Sequence, residues 1–430
     1  MLTLHQREVL TDGLNLLLRF NKLVLKGSAG VGKTFGADYL EMMLTERFGP
    51  QPTYISAPTH KALSILRRKI DIEGRKHITF ITAHSALKLK RSIHRRTGKI
   101  SFKPNFSPNY PPLKGVKRFF IDESSMLNTE LINYIERYAE KDCLIVFLGD
   151  DKQINPVGEL DSPVFKRNYP EVELTEIIRQ GLGNPIIDLS RNLNWISRKS
   201  SNLVEGEDDK YIGYSHTQDR ERIIKALAEA NGTDALKYLA WTNKEVDNIN
   251  FFVRKEIYKN PKKVELGESL IFNTPYASQF FTNEEIIVKE LEILTHKFRV
   301  FTGYKGYEDF DIKLYCINVS EKTKVNEKAP FGILVVHEDS ETTIKALEYR
   351  LKKLCKDRII EWVEYYTFIE QFADLKYNHA LTVHKSQGST FTKTIVNVGD
   401  IRRNRTKEEK QRLLYTAVTR AAEVLVLYNT

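Results

Sequence analysis

Gly27-Ser28-Ala29-Gly30-Val31-Gly32-Lys33-Thr34 is the stretch on which the fold turns. It follows the apolar run Leu23-Val24-Leu25 and precedes a long amphipathic segment, so it predicts a strand, a glycine-rich turn and the first turn of a helix. In that setting the loop N–H groups close around phosphate oxygens and Lys33 brings a cation to the β and γ oxygens. Thr34 offers a hydroxyl to Mg²⁺ at the positive end of the helix. The whole octapeptide is therefore expected to hold ATP.

Two further strand ends carry acids or amides to the same edge. Arg118-Phe-Phe-Ile121 ends in Asp122-Glu123, which predicts Asp122 beside Mg²⁺ and Glu123 orienting and deprotonating the attacking water. Leu144 to Leu148 ends in Gly149-Asp150-Asp151-Lys152-Gln153, which puts Gln153 in reach of a γ-phosphate. Strands at Leu23–Leu25, Tyr54–Ala57, Arg118–Ile121 and Leu144–Leu148, with helices after Lys33, after Lys61 and over Thr129–Ala139, make one doubly wound α/β domain. A second set begins with helix Pro185–Trp195, strand Tyr238–Trp241 and helix Lys244–Tyr258. It is interrupted by β strands at Leu270–Phe272, Ile286–Leu294, Leu314–Val319 and Ile333–Val336 and helix Glu341–Leu354. It resumes with strands Ala380–Val383 and Thr394–Val398, helix Lys407–Ala421 and strand Val424–Tyr428.

The chain has 430 residues, 41% of them hydrophobic and 28% charged, which is ordinary for a protein of two or three domains. No run of eighteen apolar residues is present to span a bilayer, and His5, Arg7 and Glu8 stand where a signal peptide needs an apolar stretch. Three scattered cysteines argue against a disulfide framework or a Cys-based zinc site and for a reducing compartment. The net charge of +10 is uneven: Gly74 to Ile121 holds twelve Lys or Arg and no Asp or Glu, so the rest of the chain is slightly acidic. That predicts one polyanion-binding region on an otherwise balanced surface.

Further segments carry a family resemblance. Ala57-Pro58-Thr59-His60-Lys61-Ala62, Thr82-Ala-His84-Ser85, Leu174-Thr-Glu-Ile-Ile-Arg179-Gln180 and Trp241-Thr242-Asn243 follow the phosphate loop in order. Thr382-Val-His384-Lys385-Ser386-Gln387-Gly388 and Tyr415-Thr-Ala-Val-Thr419-Arg420-Ala421 complete the series. With the phosphate loop and Asp122-Glu123, these make the chain resemble superfamily 1 DNA helicases of the RecD-like group, over nearly its whole length. The resemblance implies two RecA-like parallel-sheet P-loop domains, with a β-hairpin pin inserted in the first and an SH3-like β subdomain inserted in the second. The boundaries it suggests are 1–86 and 115–180 for the first domain, 87–114 for the pin, 181–260 and 371–430 for the second domain, and 261–370 for the β insertion with its helical tail.

The same resemblance assigns Gln6 to reading adenine and adds Gln387 and Gly388 to the nucleotide site. Arg179 and Arg420 become arginine fingers, since a motor needs cations that reach the γ-phosphate only when two domains close. Pro58, Thr59, His60, Thr82 and His84 from the first domain, with Thr242, Asn243, Thr382, His384, Lys385 and Ser386 from the second, are suited to grip phosphates and stack sugars or bases of a single strand. In the basic stretch, Leu87–Arg91 and Lys99–Lys103 are expected to pair around Arg96-Thr97-Gly98, with Phe102 stacking at the fork or stapling the hairpin to the first domain.

These features predict a monomeric Mg²⁺-ATP-driven translocase on single-stranded and forked DNA, running 5′ to 3′ by resemblance, in a bacterial or phage-infected cytoplasm. Partners would be single-strand-binding or replication proteins, with no membrane. Two other readings stay open at this level. An RNA helicase or protein-displacing translocase keeps the nucleotide site, and RNA against DNA as ATPase stimulant separates it. A passive single-strand-binding switch is separated by steady turnover.

Overall fold

The computed structural model describes residues 2–70, 73–176, 184–198, 200–205, 211–277, 279–303, 306–321 and 332–430. Two six-stranded sheets and one five-stranded sheet organise it, with a separate two-stranded hairpin.

The first sheet runs Ile78–Thr82, Thr53–Ala57, Arg118–Ile121, Leu144–Gly149, Lys22–Gly27 and Glu171–Leu174 in spatial order, every neighbouring pair parallel. Burial on both faces explains the nearly continuous apolar runs. Leu25, Ile55, Phe120 and Leu148 pack under the helices on one side, and Val24, Phe119, Ile121 and Phe147 under those on the other. The second sheet runs Ala380–Thr382, Leu236–Ala240, Phe391–Asn397, Ala421–Tyr428, Tyr211–Thr217 and Asn202–Glu205, parallel except for its last strand. The segment expected as helix Pro185–Trp195 is α-helical only over Pro185–Arg191, followed by a 3₁₀ stretch at Leu193–Arg198.

The insertion is an antiparallel sheet ordered Ile333–Val336, Tyr307–Glu321, Glu285–Phe301, Ser269–Phe272 and Leu375–Tyr377. Its two central strands are far longer than the sequence suggests, because their outer halves are supported by helix Glu341–Lys356. Phe298, Val300, Ile312 and Leu314 pack there against Ile344, Leu347, Leu351 and Leu354.

The hairpin pairs Leu89–Ile93 with Ile100–Pro104, placing Arg91 opposite Phe102. Gly98 closes its turn at φ 68°, a left-handed conformation that glycine adopts without penalty. A Cβ at Gly98 would also overlap the indole of Trp362, so the tip is docked on helix Trp362–Ile369. Trp362 N–H donates to Arg95 O (3.0 Å), and the Tyr366 hydroxyl donates to Gly98 O (3.2 Å). Arg91 pairs with Glu370 and lies over the Tyr366 ring.

The basic window is not one surface. Arg118 is fully buried beneath the first sheet, donating to Glu41, Thr45 and the carbonyls of Leu44 and Gly49. Arg75 pairs with Asp38 and Glu41, and Lys117 with Glu140 and Asp142. Strand Arg118–Ile121 enters the core, so the cations at its start are neutralised within the fold. The hairpin itself carries Lys90, Arg91, Arg95, Arg96, Lys99 and Lys103, with Arg95 largely exposed.

Candidate functional site

The phosphate loop leaves strand Lys22–Gly27 and enters helix Lys33–Phe48. Gly30 and Gly32 take φ of 85° and 83°, and a Cβ on Gly27 would collide with Val31, so the three glycines are required by conformation and space. Lys33 Nζ donates to the carbonyls of Gly27 (2.6 Å) and Ser28 (2.9 Å), which folds the ammonium over the loop it would serve. Thr34 Oγ1 donates to Asp122 Oδ2 at 3.2 Å, bringing together two oxygen atoms suited to a hard cation.

A cavity of about 450 Å³ lies between the two parallel sheets. Gly30, Gly32, Lys33, Thr34, Asp122, Glu123 and Gln153 line it from the first domain, and Gly388, Thr419 and Arg420 from the second. Burial, followed by the neighbouring Asp122 charge, holds the Glu123 carboxyl above the usual range, while Arg420 and Lys33 oppose the shift. Gln153 is buried and its Oε1 has no hydrogen-bond partner among the described residues. A buried carbonyl oxygen left unpaired at a cavity wall fits a site built for a ligand or its attacking water. The Arg420 guanidinium is turned onto its own domain, donating to Thr416 O and Ser389 O at 3.0 Å each.

Other expected nucleotide residues are committed within the chain. Gln6 is fully buried, its Oε1 taking the Thr3 N–H in a capping box and its Nε2 donating to Val31 O (3.1 Å). It therefore braces the phosphate loop. Gln387 donates to Ile154 O across the cleft (3.3 Å). Arg179 lies outside the described residues.

A second cleft, of about 530 Å³, separates the first domain from the β insertion. His60, Thr82 and Ser85 line one wall, and Phe281 to Glu285 the other. His60 stacks on Phe281 with centroids 3.5 Å apart, and Lys61 pairs with Glu285 at 2.6 Å. Thr59 and Thr82 cap short helices through Ala62 N–H and Ser85 N–H, and Pro58 precedes the first of these caps. His84 meets Phe102 edge to face at 5.2 Å. Phe102 is 44% exposed and stands at the middle of the hairpin ladder, opposite Arg91.

The second-domain residues divide. Lys385 Nζ reaches Asn273 Oδ1 at 2.6 Å, and His384 is half-buried next to it. Thr382 is buried and accepts from Lys385 N–H. Ser386, expected on the strand track, is fully buried and donates to Val383 O, so it has no surface to present. Thr242 caps helix Asn243–Tyr258 and gives both its N–H and its hydroxyl to Asp400, leaving Asn243 as the first helical residue.

Sequence reasoning missed Phe35, half exposed at the cavity rim, although it directly follows Thr34. It also left Arg412 and Tyr415 without roles. Arg412 Nη1 donates to the carbonyls of Asp151 and Gln153, and only the quoted Tyr415–Ala421 segment hinted that this helix faces the cleft.

A family model described as an AAA domain matches residues 4–226, and one described as a UvrD-like helicase C-terminal domain matches residues 377–428. The chain belongs to this family, as a superfamily 1 helicase of the RecD and Pif1 group. It is 27% identical over 433 residues to the ATP-dependent DNA helicase dda of Enterobacteria phage T4, covering 93% of this chain and 92% of that one. It is 25% identical over 456 residues to the RecBCD enzyme subunit RecD of Buchnera aphidicola, covering 96% and 71% respectively. A solved Pif1 helicase, studied for unwinding at forked double-stranded DNA by two coordinating copies, shares the fold with a TM-score of 0.50. Sequence identity to it is 16%, with 99% of this chain and 92% of that one covered. The superfamily 1 helicase is accordingly an ATP-hydrolysing enzyme of two RecA-like domains. Among the described residues, no helix is long and apolar enough to cross a membrane.

Proposed function

We propose that this helicase is a monomeric motor that translocates 5′ to 3′ on single-stranded DNA and unwinds forked duplex. The observation that carries the reading is the shared cavity, where Lys33, Thr34, Asp122, Glu123 and Gln153 of one domain face Arg420 of the other. Lys33 exchanges its loop carbonyls for phosphate oxygens, Glu123 takes a proton from water held by Gln153, and Arg420 turns from Ser389 O toward the developing charge. Arg179 is assigned the same cross-cleft role as Arg420. Thr34 and Asp122 would hold Mg²⁺, whose charge would offset that of the phosphate oxygens.

The cleft lined by His60, Arg67 and Thr82 suits a single strand, since imidazole rings can stack on bases and guanidinium groups and threonine hydroxyls can contact phosphates. The docked hairpin stands beside it as a rigid divider of strands. Unwinding of forked DNA carrying only a 5′ or only a 3′ tail tests the reading, with single-stranded DNA and RNA compared as ATPase stimulants. Activity restricted to the 5′ tail and stimulation by DNA are expected. Stimulation by RNA and not by DNA would make it an RNA motor, and insensitivity to any nucleic acid would end the motor reading.

A further inference from the structure

Tyr415 projects from helix Lys407–Val418 of the second domain into the loops of the first. It is almost fully buried, its hydroxyl donating to Asp150 Oδ2 at 2.6 Å and accepting the Ala29 N–H at 3.1 Å. Ala29 belongs to the phosphate loop. Asp150, itself buried, uses its other oxygen to accept Lys152 N–H (3.0 Å), and its carbonyl accepts Gln153 N–H (3.2 Å), which forms the turn that delivers Gln153 to the cavity. Arg412, one helical turn earlier, holds the same turn by the Gln153 carbonyl at 2.8 Å. Arg420 follows five residues after Tyr415 and lines the cavity. One phenol therefore touches both first-domain loops, from the segment that carries the second domain's cation.

We propose that Tyr415 is a positioning residue for hydrolysis, its hydroxyl tying the phosphate loop to the Asp150 turn so that Gln153 and Arg420 arrive in register when the cleft closes. The proposal rests on the motor reading above. A hydrogen bond to a buried carboxylate is among the stronger ones, and removing its donor leaves that oxygen unpaired. The geometry depends on the hydroxyl, whereas the apolar packing depends on the ring.

Steady-state ATPase of the full chain, with and without oligo(dT), is compared for wild type, Tyr415→Phe and Asp150→Asn. For Tyr415→Phe the oligo(dT)-stimulated kcat should fall about tenfold or more while KM for ATP moves by about twofold or less. The ratio of stimulated to basal rate should fall with it. Asp150→Asn leaves one oxygen for two donors, the phenol and the Lys152 N–H, and should lose kcat in the same direction. Thermal melting verifies folding, and if Tyr415→Phe does not fold, Asp150→Asn decides the matter alone. A wild-type kcat, a change confined to KM, or equal loss of basal and stimulated rates would overturn the proposal. Wild type that oligo(dT) fails to stimulate would instead remove the motor reading.

Discussion

Glu123 sits in a left-handed turn at φ 50°, immediately after the strand that buries Phe119 to Ile121. Because burial and Asp122 raise its pKa, the acid limb of kcat/KM should lie above the ordinary glutamate value of about 4.3. The base works only when ionised, so activity is lost as pH falls through the raised value. Glu123→Gln should lower turnover by about a hundredfold or more and flatten that limb. An unchanged limb in the variant would assign the titration to another group. Lys33→Ala should abolish hydrolysis and leave single-strand affinity within about a few-fold, because the loop and the second cleft are separate walls. Filter binding with labelled oligo(dT) checks this, and loss of both would indicate misfolding. That Lys33, Asp122 and Glu123 meet at one cavity is legible in the sequence, because each stands at a fixed offset from an apolar strand. A motif position does not reveal whether a side chain is spent on the fold, and Gln6 and Ser386 are both fully buried and hydrogen-bonded within the chain.

Among the elements, the hairpin illustrates which contacts a sequence displays. Its strands and glycine turn follow from local signals, whereas Trp362 lies over 260 residues from Gly98 in a helix that no motif marks. The dock joins the first domain to the tail of the second domain's insertion through the Trp362, Tyr366 and Arg91 contacts. Trp362→Ala should free the tip and slow duplex unwinding several-fold, since base-pair opening at about 1.4 kcal/mol per step needs an unyielding divider. ATPase stimulated by single strands should stay near wild type. Phe102→Ala acts through another contact: its ring meets His84 of the first domain, so its loss should weaken the strand track and lower stimulated ATPase together with unwinding. Measuring both rates for both variants separates the dock from the track, and identical profiles would contradict the division.

At the scale of the molecule, the second domain and its β insertion meet over buried polar groups. Lys237 Nζ donates to Gly232 O and Asn378 O at 2.6 Å each, Asn378 Nδ2 donates to Glu285 (2.8 Å), and Arg254 pairs with Glu268 (2.5 Å). His379 lies among them, fully buried, and neither ring nitrogen has a partner among the described residues. Burial first, then the Lys237 and Arg254 charges, depress its pKa to about 4. The unfolded chain binds that proton near pH 6.5, so between pH 6.5 and 4 the unfolded state holds more protons and stability falls on acidification. The full shift corresponds to about 3 kcal/mol. Glu285, held down to about 2, contributes stability that persists in this window until pH falls below the ordinary glutamate range. His379→Leu removes the titration without orphaning a hydrogen bond, so its denaturation midpoint should decline less than wild type's from pH 6.5 to 4.5. His60, His84 and His384 are also lowered by burial and keep part of the slope. Urea midpoints across that range for the two chains decide it, because coincident slopes would mean that His379 accepts its proton in the folded junction at no cost.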